Sequence, residues 1–209
     1  MGGDGITTLT TRTAEQTEIA LFWRESSPLM WNRIARSAAA TRGLDLWESA
    51  RLFGLLNLAL ADGYVASWRA KFDYLFWRPV TAIRLADSDG NAGTDADPTW
   101  TPLQPTYPMP DHDSAHSVEG GAAAEVLERV LGTDDVPFAT CSFSLPGDGC
   151  SDAVPVLRSF ERFSQAAKEN AESRVLVGIH FRHAAEIGLR HGRQIGAHAV
   201  TLFMRPVAR

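Results

Sequence analysis

The chain has 209 residues and a formal net charge of −5, with 44% hydrophobic, 22% charged and 9% aromatic residues. That composition predicts one ordinary globular domain with a sizeable core, and it excludes disordered, collagen-like, disulfide-dense and large multi-domain classes. The acidic balance offers nothing to a nucleic acid backbone. The longest apolar stretch, Leu52 to Ala61, is broken by Gly54 and Asn57 and falls short of the roughly 20 residues a membrane span needs.

Residues 1–13 read as a flexible N-terminal segment and 14–206 as a single helical domain. The start lacks both a basic n-region and an apolar h-region, so no signal peptide is visible. Cytoplasm is the default compartment, with processed export left open.

From Ala14 onward apolar residues recur at helical spacing: Ile19, Leu21, Phe22 and Trp23, then Leu29, Met30, Trp31 and Ile34, then a long run from Leu46 to Trp77. Asp45 and Glu48 form a capping-box pattern at the start of that run, and Pro79 predicts its end, which places Arg78 at a helix terminus. Between Asp87 and Asp113 stand five of the 11 prolines, a long loop of the kind that leads into a site or covers one. Helix resumes near Ser114 and stops at Gly132, and a second loop runs from Thr133 to Ala153. Pro155 fits a first helical position, with an apolar stripe through Phe160, Phe163, Ala166 and Ala167 and helix continuing past residues 174–182 to Phe203. No alternating β-branched run and no internal repeat occurs. The expected fold is all-α, a bundle of about six helices with two long irregular loops. The apolar N-terminal helices are suited to pair two copies as a homodimer.

Cys141 and Cys150 flank a segment with Pro146, Gly147 and Gly149, whose reversal allows a disulfide; two reduced thiols are the alternative.

Three segments concentrate cations and imidazoles. Lys71 and Arg78 are seven residues apart, which on a continuous helix sets them on nearly one face, offset by about 20°. Ser114, Ala115 and His116 stand at a loop-to-helix junction, where free N–H groups and the helix dipole attract an anion. Arg174 adds a forked donor and His180 a nucleophile or ligand. Together they are equipment for a tetrahedral oxyanion with one imidazole on each side. A divalent metal at His180, His183 and Glu186 with His112 or His116 is a weaker reading. Asp62 and Glu119 are candidates to orient a site histidine. His191 and His198, beside Gly192 and Gly196, read as packing, and so do Trp68 and Trp77, although Trp77 and Trp100 are placed to border the pocket.

Lys-x6-Arg-Pro, Ser-Ala-His and Ser-Arg-x5-His, in that order, resemble the three-part signature of vanadium-dependent haloperoxidases and type 2 phosphatidic-acid-phosphatase-like acid phosphatases. FWRPVTAIR and GIHFRHAAEIGLRHGRQIG also look like the catalytic half of bacterial haloperoxidase-related proteins. The resemblance implies that Lys71, Arg78 and Arg174, with Ser114 and the backbone near Ala115, bind the oxygens of vanadate, or of phosphate in the same place. It implies His180 as the axial vanadium ligand or phosphohistidine nucleophile, and His116 as the acid–base residue. The partners so implied are hydrogen peroxide, a halide and a small organic acceptor. An acid phosphatase, or a truncated, repurposed or inactive relative, is the alternative. Two departures stand out: Asp113 replaces the family's proline and sets a negative charge beside an anion pocket unless it points away, and Ala184 stands where an aspartate often follows the axial histidine. Trp77, His112, Asp113 and His183 are the expected modifiers of the pocket.

Overall fold

The computed structural model describes residues 3–145, 149–151 and 154–205. Among these the chain forms α1 (Ala14–Phe22), α2 (Ser27–Arg42), α3 (Leu46–Tyr74), α4 (Pro79–Arg84), a short 3₁₀ turn (Ala86–Ser88), α5 (Ala115–Leu131), β1 (Asp135–Thr140), β2 (Arg158–Arg162), α6 (Phe163–Leu176) and α7 (Arg182–Leu202). It is the helical bundle expected, with one small sheet added. No described helix is long and apolar enough to cross a membrane.

Helix boundaries follow from local chemistry. Thr13 with Gln16, and Asp45 with Glu48, close reciprocal capping boxes at the starts of α1 and α3. Gly43 and Gly132 end α2 and α5 in the left-handed conformation that residues bearing a Cβ resist. The core lies between α2, α3, α5 and α6, around Trp31, Ile34, Leu52, Leu56, Val126 and Leu127, all inaccessible to solvent.

The sheet corrects the sequence reading. β1 and β2 pair antiparallel with Phe138 opposite Phe160, and the rings of Phe138, Phe160 and Phe163 close one side of the core. Phe160 is thus a strand residue, and Pro155 lies in irregular chain before β2 instead of opening a helix. Pro137 interrupts the β1 pattern and stands on its exposed side, near an irregularity in register between Asp135 and Phe138. The second expected loop therefore begins after β1. Cys141 and Cys150 are joined by a disulfide there, while Pro146 and Gly147 lie outside the described residues.

Two helix ends also differ. α3 stops at Tyr74 with Leu75 left-handed at φ 50°, so Arg78 caps the start of α4 and is not part of α3. Pro79 is compatible with both roles, since a residue before proline avoids the helical region while proline itself suits a first helical turn. The helix expected to run unbroken past 182 is interrupted at 177–181, where Gly178 has φ +84° and a Cβ would press on Pro102 and Trp100 at 3.1 and 3.2 Å.

α5 and α7 approach closely along a glycine seam. A Cβ at Gly192 would lie 1.9 Å from the Val118 carbonyl oxygen, and one at Gly196 2.6 Å from that of Ala122. The seam sets the start of α5 against α7.

In the N-terminal segment, Asp4 accepts the N–H groups of Ile6, Thr7 and Thr8, Thr8 Oγ1 donates to the Thr101 carbonyl, and Arg12 to that of Leu176.

Candidate active site

A cavity of about 200 Å³ is lined by Tyr64, Trp68 and Lys71 of α3, Arg78 at the start of α4, Tyr107 and Met109 of the first loop, Ala115 and His116 of α5, Arg174 of α6, and Ile179 and His180 of the link before α7. Residues from all three motif segments meet here. Lys71 and Arg78 converge although they do not share a helix: the reversal at Leu75 turns the chain back, so the helical phase argument fails while its outcome holds.

Lys71 is almost inaccessible to solvent, and its ammonium donates to the carbonyls of Pro110, at 3.3 Å, of Asp111, at 3.0 Å, and of Asp113. The proline-rich loop therefore forms the back of the pocket. Burial and the neighbouring Arg78 lower the lysine to about 8, against the pull of Asp111 and Asp113. Arg78 donates through Nε to the Met109 carbonyl at 2.8 Å and through Nη1 to that of Ile179 at 2.7 Å. Arg174 donates through Nη1 to the Trp23 carbonyl, while its buried Nε has no partner.

Two groups flank His180: its Nδ1 lies 2.7 Å from Asp111 Oδ1, close but not aligned as a hydrogen bond, and its Nε2 is 3.0 Å from Arg78 Nη1. Asp111 is fully buried, with Oδ2 accepting the Phe181 N–H and Oδ1 3.7 Å from Arg78. Burial raises this carboxyl to about 7, against the pull of Arg78. Burial first, and then the nearby cations, push His180 well below its ordinary value, so the imidazole is neutral and keeps a lone pair.

The sequence reading missed Asp111. The family resemblance implies an aspartate four residues after His180; Ala184 there offers a backbone carbonyl, which accepts the Ser114 N–H at 3.1 Å. The carboxylate comes instead from three residues before Ser114. Asp62 is exposed on α3, and Glu119 is buried and lines a neighbouring cavity that His116 also borders. The signal available was a second acidic residue in Asp111-His-Asp113, beside the motif.

His116 lines the same cavity, and its buried Nε2 has no partner. Burial and the Arg174 charge lower it to about 3, against a hydrogen bond to the Glu25 backbone, so it too is neutral. His116 also borders a wider cavity of about 800 Å³ shared with Tyr64, Tyr107, Ser27 and Glu119, where burial raises the Glu119 carboxyl to about 7.

Ser114 is buried but does not line the cavity. Its hydroxyl accepts the Ser117 hydroxyl at 2.9 Å and the Ser117 N–H at 3.4 Å, capping α5. Trp77 is over a third exposed, borders an outer groove with Tyr107 and Met109, and is not core. His112 and His183 stack behind the pocket with ring centroids 4.9 Å apart. His180, His183 and Glu186 do not share a helix, since His180 precedes α7, and no group of three metal-binding side chains occurs among the described residues. Asp113 points away from the cavity toward α7, where Oδ2 meets His191 Nδ1 at 2.8 Å.

Comparison with known proteins gives the same frame. The chain is 28% identical to the vanadium chloroperoxidase of Curvularia inaequalis, over 88% of this chain and 39% of that protein. A solved structure described as the first bacterial vanadium-dependent iodoperoxidase matches with TM-score 0.75 and 32% identity, over 90% of this chain and 44% of its own. A holo-type bacterial vanadium-dependent chloroperoxidase shares the fold, with TM-score 0.69 at 18% identity, over 90% of this chain and 44% of its own. The chain thus spans less than half the length of these relatives. The description "VCPO second helical-bundle domain" matches residues 51–209, and the chain belongs to that family.

Proposed function

We propose that the cavity between Lys71 and His180 holds vanadate and that the chain carries the active site of a vanadium-dependent haloperoxidase, oxidising halide with hydrogen peroxide for transfer to a small organic acceptor. One observation carries the reading: two cationic guanidinium groups, an ammonium and two neutral imidazoles border one cavity of about 200 Å³. Its donor set fits a tetrahedral oxyanion, for which the unpartnered Arg174 Nε is a ready donor and the unpartnered His116 Nε2 a ready proton acceptor. Lys71, Arg78 and Arg174 would hold the oxygens, with the first N–H groups of α5 at Ala115 and His116. Ser114 would act through the cap that fixes those groups.

When bound, vanadate supplies the Lewis-acid activation of peroxide that makes it able to oxidise halide. The chain's own residues prepare that chemistry. Asp111 Oδ1, 2.7 Å from His180 Nδ1, is placed to accept from that nitrogen, which would leave the lone pair on Nε2, the nitrogen that would ligate vanadium. Nε2 now faces Arg78 Nη1, and ligation requires that contact to break. His116, neutral, takes a proton from incoming peroxide at Nε2 and returns it to the departing oxygen.

A phosphomonoesterase is the second reading. The Asp111–His180 pair favours it, since a carboxylate on Nδ1 also prepares Nε2 as a nucleophile. The deciding experiment is bromination of an organic acceptor by protein loaded with orthovanadate in phosphate-free buffer, with peroxide and bromide. Vanadate-dependent turnover that disappears in His180→Ala is expected. Turnover unchanged in His180→Ala sinks the assignment, and hydrolysis of a simple phosphomonoester without bromination selects the second reading.

A further inference from the structure

We infer that His191 is a positioning residue for the oxyanion pocket, acting through Asp113 by neutralising that carboxylate and anchoring the loop that cradles Lys71. The inference rests on the oxyanion reading above and extends it to two side chains outside the cavity.

Asp113 is nearly inaccessible to solvent and immediately precedes the helix cap Ser114. Its carbonyl accepts the Lys71 ammonium and the Ser67 hydroxyl, the latter at 3.4 Å, so its backbone helps place Lys71 in the pocket. Its side chain leaves the pocket and reaches α7, where Oδ2 meets His191 Nδ1 at 2.8 Å and Oδ1 has no hydrogen-bond partner. A buried carboxylate behind an anion site opposes anion binding unless a cation cancels it. The facing groups are Lys71 and Ser67 from α3, His112 beside Asp113, and His183 and His191 from α7. Among them Lys71 meets the Asp113 carbonyl and not its carboxylate, and burial lowers His112 toward neutrality. His191, by contrast, is about a third exposed, so solvent can supply its proton, and it sits beside Gly192, where the seam brings α7 against α5. Charge cancellation and loop anchoring thus meet in one side chain.

The test measures orthophosphate binding to the full, vanadate-free chain by calorimetry at pH 6, with the imidazole titration of His191 followed by NMR. His191→Ala and His191→Gln are expected to weaken phosphate binding about tenfold, since the glutamine can donate a hydrogen bond but carries no charge. Asp113→Asn in the His191→Ala background is expected to restore affinity to near the wild-type value, and Asp113→Asn alone to return the His191 titration to that of an ordinary imidazole. Circular dichroism melts establish that each variant is folded; if His191→Ala is not, the glutamine variant with and without Asp113→Asn gives the same comparison. Wild-type affinity in His191→Gln, or a double variant no better than the single one, overturns the positioning role and leaves the oxyanion reading standing. A wild-type chain that binds neither phosphate nor vanadate overturns both.

Discussion

The Asp111 carboxylate lies 2.7 Å from His180 Nδ1, with both side chains buried and 69 positions apart in the chain. The loop that carries Asp111 is fixed by Lys71 and by the Asp111 N–H, which donates to the Phe76 carbonyl at 2.7 Å. The link that carries His180 is turned by Gly178. Asp111→Asn keeps the shape and removes the charge, and it exposes Nδ1 to a group that can also donate. A loss of vanadate affinity of about 10- to 100-fold is expected. Equilibrium titration of vanadate checks it, and affinity equal to wild type would remove Asp111 from the positioning role.

Lys71 links the pocket to pH. Burial lowers it to about 8 in the free protein, and its positive charge is lost as pH rises through that value. Oxyanion affinity should therefore fall above about pH 8, by up to about tenfold per unit. In Lys71→Arg that limb should move to higher pH, because the guanidinium stays charged. Phosphate binding followed from pH 6 to 10 in the two proteins checks this, and a flat profile in the wild type would contradict it.

The glycine seam is a packing requirement. A Cβ at Gly192 meets the Val118 backbone, which no side-chain rotation can relieve. Gly192→Ala should destabilise the chain by about 3 kcal/mol and disturb the start of α5. Urea unfolding measures this, and a cost below about 0.5 kcal/mol would contradict the close approach.

His191 and Asp113 also set a stability window. The hydrogen bond from His191 and the Ser67 hydroxyl outweigh burial and lower Asp113 below its ordinary 3.8, so its contribution is present above that value and lost as pH falls through the folded one. The hydrogen bond to Asp113 raises His191 above its ordinary 6.5, so its contribution is complete below that value and lost as pH rises through the folded one. The difference in melting temperature between wild type and His191→Ala should be greatest between about pH 4 and 6.5 and shrink on either side. A pH-independent difference would assign the effect to packing alone.

The Cys141–Cys150 disulfide closes a short loop after β1, and Arg33 donates to the Cys141 carbonyl at 2.8 Å. Reduction should lower stability by roughly 2 to 3 kcal/mol and leave phosphate affinity unchanged in the folded protein. Melting with and without reductant, beside phosphate binding, tests both halves of that statement.

The amino-acid sequence by itself determined the helices with strong local signals. The capping box at Asp45, the cap at Ser114 and the glycine at 132 act between residues three or four apart, and such signals are complete in one dimension. It also determined the chemical kit of the pocket, because lysine, arginine and histidine in that order identify themselves without coordinates. The β1–β2 pair was hidden, since two short strands with Pro137 inside one of them carry little local preference and are stabilised by Phe138 meeting Phe160 across the chain. Partnership was decided only in three dimensions. Asp111 reaches His180, Asp113 turns to His191, and Lys71 meets Arg78 through a reversal at Leu75, because packing of α5 on α7 and the course of the proline-rich loop choose which of several equivalent carboxylates and cations come into contact. Charges attract any opposite partner within reach, and only the tertiary structure sets the reach.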